Sequence, residues 1–315
     1  MGFTLDDELM KGLTALNEKI GEVPEMAVGD VETRRRVYDP IQRSIMEQLP
    51  VADDVVMTDY ATTSRDGSQI AMRWYAKKGV HTGSAVLYVP GGGMICSEMD
   101  IYDRPVALYV AVTGVPFLSV EYRRAPEHVA PGPVEDCYAA LEWLISRAGQ
   151  LGIDPHRLAV MGDSGGGGIA ASLAIYARDH GLKIARQVLI YPMLDDRNLT
   201  PDEDIAPFAV WTYEDNRTGW GSLLGDALGG PDVSPYAAAA RLQDFTGLPP
   251  AYVEVGELDI FRDESIDYAR RLLAAGVSTE LHVHSGAPHA FEAFVPAAGV
   301  SQRALAERHR VVRSL

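Results

Sequence analysis

Gly162-Asp163-Ser164-Gly165-Gly166 follows the apolar run RLAVM and opens a stretch of small residues, GGIAASLAIYA. A serine between small residues on a sharp strand-to-helix turn exposes its hydroxyl at a helix N-terminus. There, backbone N–H groups and the helix dipole favour a developing oxyanion. The chemistry implied is nucleophilic attack by Ser164 on an acyl carbon. Two plainer readings compete: a glycine-rich turn with an N-capping serine, and a phosphate loop. No lysine follows the glycines, which disfavours the phosphate loop.

Such a serine needs oxyanion donors, a base and a group that orients the base. Pro90-Gly91-Gly92-Gly93-Met94 follows the apolar run SAVLYV, and consecutive glycines let backbone N–H groups approach a ligand closely. With the N–H of Gly165, those of Gly92 and Gly93 would form an oxyanion hole; taken alone, the run is also compatible with a flexible turn. After the run AYVEV comes Gly256-Glu257-Leu258-Asp259, and after TELHVH comes Ser285-Gly286-Ala287-Pro288-His289. An acid and then a histidine, on loops after successive strands, supply Asp259 as orienter and His289 as base, with Glu257 as the rival acid. His282 and His284 fall within a strand pattern where packing or surface roles fit better. Asp195, Asp196 and Asp263 read as turn or cap residues.

The elements that must hold these loops are legible. VVMTDYATTS and QIAMRWYA, joined by Arg65-Asp66-Gly67, predict a hairpin. Six short apolar runs follow, at 84–90, 115–122, 157–162, 186–192, 251–256 and 279–284, with helical stretches near 103–113, 134–149, 165–180 and 263–275 between them. Apolar strands alternating with helices predict an α/β class with a doubly wound parallel sheet covered on both faces. Residues 1–50 read as a helical segment, with Leu9, Leu13 and Leu16 at helical spacing. About sixty residues separate Pro192 from Ala251, far more than a strand-to-helix connection needs, so this stretch reads as an insertion capping the sheet. Its aromatics Phe208, Trp211, Tyr213 and Trp220 either fill the insertion's own core or line a substrate pocket. Met94, Ile95 and Cys96, just past the glycine run, are candidate substrate contacts, with ordinary packing an equal alternative. Cys137 reads as core, and Arg262 with Asp263 as fixing the Asp259 loop.

Composition narrows the partners. The 315 residues carry 44 acidic against 28 basic side chains, a formal charge of -16 that repels phosphate backbones and anionic lipid. Nucleic acid and membrane are therefore not expected partners, and no window reaches the length of apolar chain that spans a bilayer. Two cysteines form neither a disulfide framework nor a zinc site, and the acidic N-terminus lacks a signal-peptide pattern. Both point to the cytoplasm.

The segments PGGGM, VEYRRAPEHVAPGPVEDCYAALEWL, IDPHRLAVMGDSGGGG, VSPYAA, TGLPPAYVEVGELDIFRDES and HSGAPHAF, spread over about residues 80–300, resemble the hormone-sensitive-lipase-like (bacterial family IV) carboxylesterases. That family includes bacterial heroin esterases and acetyl esterases. The resemblance implies an α/β-hydrolase fold: a mostly parallel eight-stranded sheet with helices on both faces and a helical cap. The cap would combine residues 1–50 with an insertion at about 197–240 of a catalytic domain spanning 51–315. It also implies Ser164, Asp259 and His289 as the catalytic residues, with Gly92, Gly93 and Gly165 as oxyanion donors. Met94, Ile95, Phe208 and Trp211 stand as substrate-binding candidates. No metal or cofactor is implied. A small-molecule ester is the expected substrate, of short-to-medium acyl chain, and a homodimer is a family-level expectation. A lactone, amide or formamide hydrolase, an acyltransferase and a non-catalytic binder on the same fold remain alternatives. Two departures stand out: Pro90 where the family has histidine, and Gly165 where it has alanine. Keeping the N–H donor while loosening the turn is the effect expected of Gly165.

Overall fold

A computed structural model describes residues 2–315. In chain order the elements are α1 (Asp7–Ile20), α2 (Val31–Met46), β1 (Val55–Thr63), β2 (Gln69–Lys77), β3 (Ala85–Val89), α3 (Asp103–Thr113), β4 (Phe117–Val120), α4 (Gly132–Ser146), α5 (Ala148–Leu151), β5 (Leu158–Asp163) and α6 (Gly165–Asp179). Then come β6 (Arg186–Ile190), α7 (Tyr213–Leu224), β7 (Ala251–Gly256), α8 (Arg262–Ala274), β8 (Thr279–His284), α9 (Phe291–Phe294) and α10 (Gly299–Arg313).

The eight strands form one sheet in the order β1-β2-β4-β3-β5-β6-β7-β8. β1 and β2 pair antiparallel, as do β2 and β4, and the other neighbours are parallel. The central strands β3, β4 and β7 are buried at every position, because helices cover both faces. The crossover from β3 through α3 runs one way along the sheet to β4, and the crossover from β4 through α4 runs the other way to β5. Right-handed crossovers therefore set α3 and α4 on opposite faces. The strand order reverses between β3 and β5, so the loops leaving these two strands diverge over a crevice at their carboxyl ends. Those loops begin at Pro90 and Ser164.

The N-terminal segment, expected to be helical over residues 1–50, is built of two helices. It is broken at Gly21, whose φ of 77° ends α1, and restarted at Asp30, whose carboxylate accepts the Thr33 N–H. Both helices reach over the crevice. Leu9 of α1 is fully buried against a small cluster that includes Ala287 and Phe291. The Asp6 N–H donates to the Gly286 carbonyl at 3.0 Å. From α2, Arg34 pairs with Asp215 of α7 at 2.8 Å, both side chains nearly inaccessible, and Tyr38 donates to the same carboxylate at 3.1 Å. The stretch between β6 and β7 is held at its base by buried Asp196, which pairs with Arg241 at 2.6 Å and accepts the Gly229 N–H. Asp196 is thus an anchor of that stretch rather than the plain turn residue expected. α7 itself starts with a capping box between Thr212 and Asp215.

Candidate active site

Ser164 stands between β5 and α6 at φ 56°, ψ −121°, a conformation that non-glycine residues rarely adopt and that pushes its side chain out of the turn. His289 lies five residues beyond β8, and its Nε2 is 2.9 Å from Ser164 Oγ. Its Nδ1 is 2.6 Å from Asp259 Oδ2, in the loop between β7 and α8. The other Asp259 oxygen accepts the Phe261 N–H at 2.9 Å, which fixes the carboxylate. All three side chains are buried. Three loops at the carboxyl ends of three strands thus bring a hydroxyl, an imidazole and a carboxylate into one hydrogen-bonded line. This is an arrangement able to move a proton off the serine.

The rival acid sits elsewhere. Glu257 accepts the Ser285 hydroxyl at 3.0 Å and the Gly286 N–H at 2.9 Å, tying down the turn after β8. His282 pairs with Glu280 on β8, while His284 lies 3.8 Å from buried Glu254. Asp263 pairs with its neighbour Arg262, whose guanidinium also reaches the Glu257 carbonyl at 3.4 Å. Glu280, His282 and Glu307 lie close enough together to hold a metal ion, but Arg310 already pairs with both carboxylates.

The glycine loop folds against the start of α6. Among the described residues the N–H groups of Gly92 and Gly93 have no protein partner, and that of Gly165 belongs to the first helical turn, which has none within its helix. A Cβ on Gly165 would lie 2.9 Å from the Gly93 nitrogen and 2.7 Å from the Met94 nitrogen, so these donors crowd one spot beside Ser164. The absence of a Cβ at Gly165 thus lets the glycine loop approach the start of α6. Gly93, at φ 58°, lies directly under the Trp211 ring, which a Cβ would meet at 2.3 Å. Tyr122 donates to the Pro90 carbonyl at 3.1 Å, and Arg35 of α2 binds the Ile95 carbonyl at 2.6 Å. These contacts prop the loop in place of a side chain at position 90.

Ser164, His289, Gly92 and Gly93 open on a cavity of about 900 Å³. Its walls are largely apolar: Leu13 and Leu16 from α1, Ile41 and Ile45 from α2, Leu108 from α3 and Leu305 from α10. Of the four insertion aromatics, Phe208 and Trp211 line it, whereas Trp220 is fully buried and Tyr213 is tied to the Asp202 N–H. Met94 and Ile95 do not line it. Both are completely buried, because the left-handed turn through Gly92, Gly93 and Met94 (φ 65°) directs the following side chains into the core. Cys96 does face the cavity, and burial pushes its thiol up to about 12, leaving it protonated. Cys137 is core.

Three residues at the site, Asp163, Tyr191 and Phe261, were given no role from the sequence. Asp163 lines the cavity and accepts the Tyr88 hydroxyl at 2.6 Å, and burial lifts its carboxyl to about 6. Tyr191 and Phe261 pack edge-on against the His289 ring, with centroids at 4.6 and 5.3 Å. Tyr191 lies at the end of an apolar strand, where only its place in the fold reveals its neighbour.

The sequence profile of a family described as alpha/beta hydrolase fold matches residues 86–293. Carboxylesterase NlhH of Mycobacterium tuberculosis is 38% identical over 238 residues, 73% of this chain and 74% of its own. Ethyl acetate hydrolase of Pseudomonas putida is 31% identical over 292 residues, 89% of this chain and 88% of its own. The solved structure of a bacterial heroin esterase aligns with 99% of this chain and 98% of its own, at a TM-score of 0.89 and 37% identity. No helix among the described residues is long and apolar enough to cross a membrane.

Proposed function

We propose, from the premise that this chain belongs to that alpha/beta hydrolase fold family and is a carboxylesterase, that it cleaves short-to-medium acyl esters through an acyl-enzyme on Ser164. The observation that carries the reading is the unbroken line from Ser164 Oγ to His289 Nε2 at 2.9 Å and from His289 Nδ1 to Asp259 at 2.6 Å. His289 takes the hydroxyl proton as Ser164 attacks the ester carbonyl. Asp259 holds the imidazole in the tautomer with a proton on Nδ1 and stabilises the imidazolium that forms. The N–H groups of Gly92, Gly93 and Gly165 receive the oxyanion. The imidazolium protonates the departing alcohol; water, activated by His289, then releases the acid.

Residues 1–50 and about 197–240 act as one cap over the site, a reading supported by the buried pair of Arg34 with Asp215. Phe208 and Trp211 would contact the substrate from that cap. The apolar walls favour an uncharged ester, and two similar proteins are named for small esters, ethyl acetate and heroin. A cytoplasmic location agrees with two unpaired, buried cysteines. A homodimer belongs to the same family-level reading, and sedimentation measures it directly.

The test is hydrolysis of p-nitrophenyl acetate, butyrate and octanoate by the wild type and by Ser164→Ala. Turnover should fall by a factor on the order of 10⁴ to 10⁶ in the variant. Equal rates in the two proteins would refute a serine acyl-enzyme.

A further inference from the structure

We infer that Tyr191, Glu292 and Arg308 position the imidazole of His289. The inference rests on the esterase reading and extends it to residues outside the Ser-His-Asp line. Behind His289 lies a buried polar chain drawn from four parts of the fold. Tyr191, just past β6, sets its ring 4.6 Å from the imidazole and donates its hydroxyl to Glu292 Oε1 at 2.6 Å. Arg308 of α10 donates to the same oxygen at 2.6 Å and to Glu254 of β7 at 2.7 Å. It also donates to the Tyr109 hydroxyl at 3.2 Å, and its guanidinium stands 5.6 Å from the Tyr191 ring centroid. Arg308, Glu254 and Glu292 are 1%, 0% and 6% exposed.

Two features tie this chain to the histidine rather than to general packing. Glu292 is three residues past His289, in the short helix α9, and the intervening Ala290 takes a left-handed φ of 54°. Anchoring Glu292 therefore fixes the strained segment on which His289 is carried. Tyr191 is itself held at φ 34°, with its N–H on the Glu254 carbonyl at 2.7 Å. Its ring packs edge-on against the imidazole at 4.6 Å, and that of Phe261 does so at 5.3 Å. The imidazole keeps two hydrogen bonds, but these leave it free to tilt about the line joining them; the two rings oppose that tilt. Displacement of a reacting group by about an ångström costs on the order of 10²-fold in rate, so such support bears on turnover.

Arg308 pairs with both Glu254 and Glu292, and His284 sits beside Glu254. The imidazole itself meets Asp259 at Nδ1 and Ser164 at Nε2, and Asp163, with its partner Tyr88, lines the same cavity.

Tyr191→Phe keeps the ring and deletes the donor, and Glu292→Gln keeps the shape and an acceptor oxygen. Both are compared with wild type and Ser164→Ala on p-nitrophenyl acetate across pH, with thermal midpoints measured beside them. Each variant should lose about tenfold in kcat with KM within about twofold, and the double variant should be little worse than either single change. Unchanged kcat, a change confined to KM, or a rate loss that tracks lost folding would each overturn the positioning role. If Ser164→Ala is inactive while both variants match wild type, only this inference fails. If Ser164→Ala keeps full activity, the esterase reading fails with it.

Discussion

A methyl group is the smallest change that probes the oxyanion loop. On Gly93 it would run into the Trp211 ring at 2.3 Å and require a side chain at φ 58°; on Gly165 it would press on the Gly93 and Met94 backbone at 2.9 and 2.7 Å. Neither neighbour is the free end of a flexible chain, so the loop must retreat from Ser164. Gly93→Ala and Gly165→Ala should each lower kcat on p-nitrophenyl acetate by about 10²-fold, the effect of losing one oxyanion donor, and active-site titration will show whether the folded enzyme is still present. At this scale much was legible. Ser164, Asp259 and His289 could be picked out because each follows an apolar strand in a loop with its own turn residues. The pocket-facing role expected of Met94 and Ile95 failed for a physical reason: two left-handed glycines reverse the chain, and no periodicity records where the next side chain then points. Phe208 and Trp211 were separable from Tyr213 and Trp220 only once the walls of the cavity were known.

Between elements, the contact with the largest consequence joins α2 to α7. Arg34 and Asp215 are 181 positions apart and 1% and 2% exposed, and Asp215 also accepts the Thr212 N–H that starts α7. Removing one partner strands the other charge out of water, which costs on the order of 3 to 5 kcal/mol. Arg34→Met should therefore lower the urea midpoint markedly, whereas exposed Arg43→Met, paired with Asp100 at the surface, should shift it by less than about 1 kcal/mol. Equal effects would show that the buried pair contributes nothing beyond a surface one. The two helices and the insertion were each visible in the pattern. That they meet was not, because an ion pair across such a separation leaves no local trace.

For the molecule as a whole, buried Asp163 and Glu254 and half-buried His309 contribute to the dependence of stability on pH in opposing directions. Burial, with Arg313 and Arg308 beside it, holds His309 down from 6.5 to about 4, so as pH falls through that window the unfolded chain takes up a proton that the folded one refuses. Asp163, lifted from 3.8 to about 6, does the opposite: the folded protein gains a proton first, which is stabilising as pH falls from 6 to 3.8. One proton each way makes the two contributions nearly cancel. Glu254 is pushed up by burial but pulled down further by Arg308 and His284, to about 2, so its stabilisation is present above pH 4.5 and lost as pH falls towards 2. The combined contribution of these three groups should accordingly stay nearly level from about pH 6 to 4 and then drop. In Asp163→Asn the His309 contribution stands uncovered, and urea unfolding at stepped pH should show a decline that begins near pH 6.5. A profile unchanged by that substitution would mean that Asp163 titrates alike in both states.

Alternation of apolar strands with helices, and of turn residues with both, determined by itself the layered sheet, the three loops that meet over it and the class of acyl chemistry they serve. Such signals are local: each strand, turn and cap is written in a few neighbouring residues. Only the tertiary structure decided that the N-terminal segment bends at Gly21 to reach α7 and that Trp211 closes on Gly93. It also decided that Tyr191, Glu292 and Arg308 stand behind His289. Those outcomes depend on which buried charges and rings find one another across the whole chain, and on which way a left-handed turn aims them, so no local pattern carries them.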